Sequence, residues 1–211
     1  MPGSKIGPIL GVILAGGRAE RMGGGDKGLR EVGGTPILAR VIERVRPQVD
    51  ALVLNANGDP TRFAGFGLPV APDSIPDFAG PLAGVLAGLD WAATNHPQAH
   101  YIVTVPADGP FVPRNLVGHL ADALATEDAE LVTAASGAQT YPVVGLWPVR
   151  LRQALHDALT KEDVHKIDAW TRRFRRAVAT FPAEPVDPFF NANTPEQLAE
   201  AERLAALHPD I

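Results

Sequence analysis

Residues 9–29 read ILGVILAGGRAERMGGGDKGL, an apolar run that leads directly into a glycine-rich loop. The run at residues 9–15 is almost continuously apolar, which is typical of a strand buried on both faces of a parallel sheet. Glycine, which has no side chain, is the usual residue where the backbone turns sharply or comes close to a ligand. The stretch therefore predicts a central strand that ends in a ligand-binding loop, and a flexible surface turn is the alternative.

The loop combines the cations Arg18, Arg21 and Lys27 with glycines whose amides are free to meet a phosphate. The P-loop pattern is not met, because Lys27 follows an aspartate and precedes a glycine rather than serine or threonine. Residues 23–28, GGGDKG, match the letters G-x-G-x-x-G, but this match begins several residues after the strand instead of at its end. A dinucleotide-binding fold is therefore disfavoured.

Strand-like and helix-like segments alternate along the rest of the chain. Apolar residues at helical spacing follow Pro36 until Pro47, and a second such segment starts near residues 80–81. The alternation predicts a three-layer α/β/α sandwich with a mostly parallel, Rossmann-like central sheet. Further strands are expected at residues 51–54, 68–71, 101–105, 130–135, 142–147 and 177–181, and further helices after residue 116, at 150–159 and at 163–174.

The last helix has a complete start signal. Thr194 is a preferred N-cap residue, Pro195 suits the first helical position, and Gln197 stands where a capping box requires glutamine or glutamate. We therefore expect a helix that begins at residue 195.

Composition limits the class of protein. The chain has 211 residues, 45% of them hydrophobic and 20% charged, with a net charge of −5, which is typical of a soluble globular protein forming a single domain over residues 1–211. The mildly acidic balance provides no basic face for nucleic acid, so we expect no nucleic-acid partner. The absence of cysteine excludes thiolate chemistry and fits a cytoplasmic protein. No run reaches the roughly 18 apolar residues of a membrane helix, so no membrane association is expected.

Polar residues follow two more of the predicted strands, on the edge where α/β sheets bind ligands. Asn55 and Asn57 come after residues 51–54, although asparagines at a strand end are most often turn formers. Asp73 and Asp77 precede a Gly-Pro helix start, where Asp73 can accept hydrogen bonds from a flat base. The alternative for this second loop is an ordinary helix start.

Asp108 lies in the sequence PADGPF, directly after the strongest predicted strand. Two prolines and a glycine stiffen this loop and hold the carboxylate at the sheet edge, opposite the glycine-rich loop. Mg²⁺ binds one or two protein carboxylates and completes its shell with phosphate oxygens and water. Asp108 is therefore the candidate Mg²⁺ ligand, and the alternative is a simple Asp-Gly turn.

Six stretches follow one another over nearly the whole chain: LAGGRAERMGGGDKGL, VLNAN, PDSIPDFAGPLAG, PADGPF, YPVVGLW and FFNANTPEQL. In this order they resemble the molybdenum cofactor guanylyltransferases, within the nucleotidyltransferases of Rossmann-like fold. The combination of LAGG, GPLAG and NANTPEQL resembles guanylyl members more than cytidylyl members, which usually have alanine in place of Gly16. The chain departs from the family pattern at Ala107, often cysteine, at Gly109, often threonine, and at Tyr141, often histidine.

The resemblance implies roles for particular residues. Lys27 would face the phosphates with Arg21 beside it, and with Asp108, the Mg²⁺ ligand, these would be the catalytic residues. Positions that match the nucleotide contacts of the family are Leu14, Ala15, Gly16, Gly17, Lys27, Asn55, Asp73 and Asp108. Positions that match the molybdopterin side are Pro142, Asn191 and Asn193. Residues 161–176 fit the family least, and we expect their charges to form a solvated helix face.

The reaction that the resemblance implies transfers GMP from GTP to the terminal phosphate of molybdopterin, with or without molybdenum, and releases pyrophosphate. A phosphate monoester has a second pKa of about 6, so it is largely ionised at neutral pH and needs no general base. The protein must instead stabilise the charge that develops on the α-phosphoryl group and on pyrophosphate. GTP and molybdopterin are the expected partners, and proteins that deliver or receive the cofactor are candidates.

Two alternatives to this reaction stay open at the level of the sequence. One is a related enzyme that uses CTP or that acts on a sugar or alcohol phosphate. The other is a nucleotide-binding regulatory or carrier module without turnover, against which the presence of both Lys27 and Asp108 argues.

Overall fold

The computed structural model describes residues 6–16, 26–75 and 80–211. The strands are β1 (Ile9–Leu14), β2 (Glu31–Val32), β3 (Thr35–Pro36), β4 (Ala51–Asn55), β5 (Val70–Ala71), β6 (Tyr101–Pro106), β7 (Leu131–Ser136), β8 (Gln139–Pro148) and β9 (Arg176–Phe181). The helices are α1 (Ile37–Val45), α2 (Pro81–Asn95), α3 (Leu116–Thr126), α4 (Arg152–Lys161), α5 (Ile167–Thr171) and α6 (Pro195–Leu207). In these described ranges, no helix is long and apolar enough to cross a membrane.

The described part of the chain forms one sheet of seven strands, in the order β5-β4-β1-β6-β8-β7-β9. β1 lies between β4 and β6 and pairs with both in parallel, which confirms the predicted interior position of residues 9–15. β8 runs antiparallel to both of its neighbours, while β4 with β5 and β7 with β9 are parallel pairs. The prediction of a mostly parallel sheet is therefore confirmed.

Helices cover both faces of the sheet. α1, α3 and α6 bury their apolar residues on one face, and α2, α4 and α5 do so on the other. Successive residues of β1 divide between the two layers, with Ile9 and Ile13 on the first side and Leu10 and Val12 on the second. A strand that is buried on both faces needs apolar side chains at every position, which explains the continuous apolar run.

Some local features differ from the sequence-based expectation. β2 and β3 form a hairpin around Gly33 and Gly34, both with positive φ (60° and 74°), as the turn of a two-residue hairpin requires. The helix expected at residues 163–174 is shorter and spans Ile167–Thr171, and Asp163 cannot belong to it because its φ of +56° does not fit a right-handed helix. Helix α5 turns the ring of Trp170 inward, where it packs against Trp147.

The strand expected at residues 142–147 is longer, and it contains an irregularity. Thr133 pairs with Gly145 but Ala134 pairs with Tyr141, so residues 142–144 bulge out of the ladder. The buried hydroxyl of Thr104 donates to the carbonyl oxygen of Val143 at 2.6 Å and accepts from Trp147 Nε1 at 2.7 Å. The Thr104 hydroxyl, buried in the sheet, therefore holds the bulge in place.

Candidate active site

Strands β1, β4 and β6 end at one edge of the sheet. Leu14 is level with Asn55 on one side and with Pro106 on the other. The backbone continues this alignment past the strand ends, since Ala15 N donates to Asn55 O at 2.8 Å and Ala107 N donates to Leu14 O at 3.0 Å. This is the edge where ligands bind in α/β sheets of this kind.

Lys27 and Asp108 meet at this edge, with Lys27 Nζ 3.8 Å from Asp108 Oδ2. Gly28 lets the two loops come this close, because an added Cβ would lie 3.1 Å from Ala107 O and 3.3 Å from Ala107 Cβ. The structure therefore brings together the two residues that the sequence assigned to phosphate and metal. Their chemical roles stay predictions.

Asp108 is a largely buried carboxylate, and burial raises the pKa of its carboxyl group, an effect that the charge of Lys27 opposes. In the described ranges, no three His, Cys, Asp or Glu side chains cluster into a metal cage. A single largely buried carboxylate next to the predicted phosphate loop suits an ion such as Mg²⁺, which keeps phosphate and water ligands. The residues present therefore fit a divalent ion that binds together with its substrate.

The segment Asn191-Ala192-Asn193 lies against both of these residues. Asn193 Oδ1 accepts a hydrogen bond from Lys27 Nζ at 2.5 Å, and Ala192 N donates to Asp108 O at 3.0 Å. Asn191 Oδ1 is buried and has no hydrogen-bond partner among the described residues, and it lies 3.4 Å from the position of a Cβ added to Gly109. The segment predicted for the molybdopterin side therefore adjoins the predicted metal ligand.

The start of α6 orients this segment. Thr194 Oγ1 accepts from Gln197 N at 3.2 Å, which confirms Thr194 as the N-cap. Gln197 Oε1 accepts from Asn193 N at 2.9 Å, one residue before the Thr194 amide that a capping box would use. The helix start thus fixes the backbone of the asparagine that contacts Lys27.

Asp73 is held by two asparagines at the end of β4. Asn55 is only 3% exposed, and its Nδ2 donates to Ala71 O at 3.2 Å and to Asp73 Oδ1 at 2.9 Å. Asn57 Nδ2 donates to Asp73 Oδ2 at 2.7 Å, and Asn57 Oδ1 accepts from Asp73 N at 2.9 Å. Both asparagines therefore orient the carboxylate, and this role of Asn57 was not anticipated from its position at a strand end.

The structure describes only some of the other predicted positions. Leu14 and Ala15 are half-buried and Gly16 is exposed, with no described atom within 4 Å of an added Cβ. Pro142 lies in the β8 bulge. The predicted residues Gly17, Arg18, Arg21 and Asp77 lie outside the residues that the structure describes.

Tyr141, which precedes Pro142 in the chain, connects strand β8 to the segment before Asn191. Tyr141 Oη donates to Asp187 Oδ2 at 2.5 Å, and burial together with this bond raises the pKa of Tyr141 to about 12. Asp187 Oδ1 also accepts from Phe189 N at 2.9 Å. The tyrosine is therefore a neutral donor that ties β8 to the chain leading to Asn191.

Residues 161–176 take no part in these contacts. Arg173 pairs with Glu162 at 2.8 Å and Arg176 pairs with Asp168 at 2.9 Å. These half-exposed ion pairs agree with the expected solvated face, while Trp170 faces the core.

Comparisons with known proteins identify relatives of this chain. Residues 11–179 match the family model described as MobA-like NTP transferase domain. A Nitrobacter hamburgensis protein described as molybdenum cofactor guanylyltransferase is 58% identical over 203 residues, which cover 96% of this chain and 97% of that protein.

Solved structures share the fold. The molybdopterin-guanine dinucleotide biosynthesis protein A of Archaeoglobus fulgidus superposes with a TM-score of 0.71 at 21% identity, over 94% of this chain and 99% of that one. A Mycobacterium tuberculosis protein crystallised with manganese gives a TM-score of 0.66 at 17% identity, over 93% and 98% of the two chains. The match to the family model and the 58% identity to a curated member show that this chain belongs to the molybdenum cofactor guanylyltransferases, nucleotidyltransferases with a MobA-like NTP transferase domain.

Proposed function

We propose that this chain transfers GMP from GTP to the terminal phosphate of molybdopterin, with Lys27 and Asp108 at the reacting phosphates. One observation supports this assignment above all. Lys27 Nζ lies between Asp108, at 3.8 Å, and Asn193, at 2.5 Å, so residues matching the nucleotide and the molybdopterin contacts of the family share one cation.

Asp73 is the proposed reader of the guanine base. Its two carboxylate oxygens each accept one bond from an asparagine, and an ionised carboxylate has further lone pairs to accept from a ligand. Guanine offers a ring N–H and an exocyclic amino group side by side, which a carboxylate can accept together. Cytosine offers only its amino group, and this difference supports GTP over CTP as the substrate.

The proposed metal ion is Mg²⁺, held by Asp108. When bound, it would neutralise charge on the triphosphate. The manganese in the structure of the Mycobacterium tuberculosis protein belongs to that protein, and it supports a divalent ion at this kind of fold. The chain's own contacts position this metal ligand. Ala192 N donates to the backbone oxygen of Asp108, and Lys27 Nζ lies 3.8 Å from its carboxylate.

The chain's own residues would orient the substrates and stabilise charge, and none has to act as a general base. The molybdopterin phosphate is ionised at neutral pH, so no side chain has to remove a proton from it. Lys27 would stabilise the negative charge that develops as the α-phosphoryl group is transferred. Asn191 and Asn193 would orient the molybdopterin end, and Asn191 Oδ1, which has no hydrogen-bond partner among the described residues, would accept from a donor on that substrate.

The test is a product assay with purified protein, molybdopterin, Mg²⁺ and one nucleotide at a time. We expect pyrophosphate and a guanine dinucleotide with GTP, and little product with CTP or ATP. Equal turnover with CTP would overturn the assignment of Asp73, and nucleotide binding without pyrophosphate release would favour a binding module.

A further inference from the structure

Arg62 connects the two loops that hold opposite ends of the proposed nucleotide site. Its Nε lies 2.7 Å from Oδ2 of Asp26, the residue before Lys27, and its Nη2 donates to Asn57 O at 2.6 Å. Asn57 in turn holds Asp73 through two hydrogen bonds. One guanidinium group therefore spans the distance between the phosphate side and the base side.

The local structure sets the direction of the Arg62 side chain. The short helix Pro60–Phe66 is capped by Asp59, whose carboxylate accepts from Thr61 N at 2.9 Å. The guanidinium carbon of Arg62 lies 4.7 Å from the ring centre of Phe63, which is buried and acts as an anchor. A planar guanidinium held in this way presents its donors in fixed directions.

Arg62 also balances the charge next to Lys27. The carboxylate of Asp26 would repel the phosphates of GTP if no cation faced it. The Asp26 and Arg62 side chains are 19% and 32% exposed, so the attraction between them is partly shielded from solvent. Removal of the guanidinium would remove the positive charge that faces Asp26. It would also break the link between Asp26, which precedes Lys27, and the Asn57 loop.

We infer that Arg62 is a positioning residue that sets Lys27 against Asp73 by holding Asp26 and Asn57 together. This inference rests on the proposed function of the site. In the proposed site Asp73 contacts only the nucleotide, and Lys27 meets the molybdopterin side through Asn193, whose backbone Gln197 holds independently of Arg62. The effect of Arg62 therefore falls on GTP, while molybdopterin binding depends on residues 191–193 and stays close to normal.

The first experiment compares Arg62→Gln and Arg62→Lys with the wild-type protein. GTP is titrated by calorimetry in the presence of Mg²⁺, and KM is measured for each substrate. For Arg62→Gln we expect the Kd and KM of GTP to rise about tenfold, as for coupled charged neighbours, while the KM of molybdopterin changes less than about twofold. Arg62→Lys keeps the charge but loses the fork that bridges two acceptors, so its loss is intermediate. Unchanged GTP binding in both variants would overturn the inference.

The second experiment is a double-mutant cycle with Asp26→Asn. If Arg62 acts through Asp26, the loss of GTP affinity caused by Arg62→Gln shrinks below about threefold in the Asp26→Asn background. Full additivity of the two changes would instead indicate direct contact of Arg62 with the triphosphate and would overturn the positioning role.

Arg203→Gln is the matched control, because Arg203 forms a comparable two-bond pair with Glu200 on the exposed side of α6. We expect no change in GTP affinity from it. The GTP titrations measure affinity and need no turnover. A wild-type protein that binds GTP but releases no pyrophosphate would contradict the proposed function, yet the double-mutant cycle could still be evaluated from GTP affinities.

Discussion

At the scale of single residues, Asp108 is a buried carboxylate whose nearest described cation is 3.8 Å away. Its raised pKa means that the protonated form stabilises the metal-free fold. This contribution is fully present below the ordinary pKa of 3.8 and is lost as the pH rises through the raised value. We therefore expect Asp108→Asn to raise the Tm in EDTA at neutral pH, with a gain that shrinks as the pH falls toward 4. A lower Tm, measured by scanning calorimetry, would show that the attraction of Lys27 outweighs burial.

Lys27 is the residue whose charge the proposed reaction needs most. Lys27→Met keeps the length of the side chain but removes the cation that faces Asp108 and Asn193. We expect kcat/KM for GTP to fall about 10²-fold to 10³-fold, the size of effect seen when one donor to a developing charge is lost. Steady-state pyrophosphate release measures it. Lys161→Met, at an exposed ion pair on α4, is the control, and a loss below tenfold at Lys27 would contradict its role.

At the scale of elements, α2 packs directly on the ends of β1 and β4. A Cβ added at Gly84 would lie 2.5 Å from Asn55 Oδ1 and 2.8 Å from Leu14 Cδ2. Overpacking of this kind costs about 1–3 kcal/mol, and each kcal/mol lowers the Tm of a chain of this size by about 2–4 °C. We therefore expect Gly84→Ala to lower the Tm and, because Asn55 holds Asp73, to weaken GTP binding.

Gly118 is the matched control, since it lies within α3 and an added Cβ there meets no described atom within 4 Å. Gly118→Ala should stabilise the protein by about 0.5–1 kcal/mol through the helix preference of alanine. Equal changes in Tm for the two variants would mean that the contact of Gly84 with the strand ends carries no energetic weight.

The elements could be predicted where their signals are local. The apolar run of β1 and the Thr194 cap of α6 each depend on a few adjacent residues, and both lie where expected. The bulge at residues 142–144 could not be predicted, because it depends on the Thr104 hydroxyl from a neighbouring strand. The β2-β3 hairpin had a usable signal in its two consecutive glycines.

At the scale of the whole molecule, a divalent ion is expected to matter for turnover and not for the fold. In the described residues, protein groups alone hold the Asp108 loop, since Ala192 N donates to Asp108 O and Lys27 offsets part of the cost of burying the carboxylate. We expect EDTA to abolish pyrophosphate release without lowering the Tm, and added Mg²⁺ to restore turnover in the wild type but not in Asp108→Ala. A fall in Tm on chelation would instead indicate a structural metal.

The candidate site could be predicted in part. The family motifs indicated Lys27, Asp73, Asp108 and the two asparagines, and Asp73 and Asp108 also follow strands that the sequence marks. The links among them could not be predicted, since the contacts of Asn57 with Asp73 and of Gln197 with Asn193 depend on loop backbones. The Arg62 bridge depends in the same way on the direction of a short helix.

The contact of Lys27 with Asn193 joins positions 166 residues apart, and this separation bears on how the protein is made. A nascent chain leaves the ribosome from its N-terminus, so Lys27 and Asp108 emerge long before Asn193 and Gln197. Contacts so distant in sequence form late because the closure of a long loop costs entropy first. Lys27 and Asp108 can therefore come together during translation, while the contact with Asn193 is completed only after α6 has been synthesised and has docked.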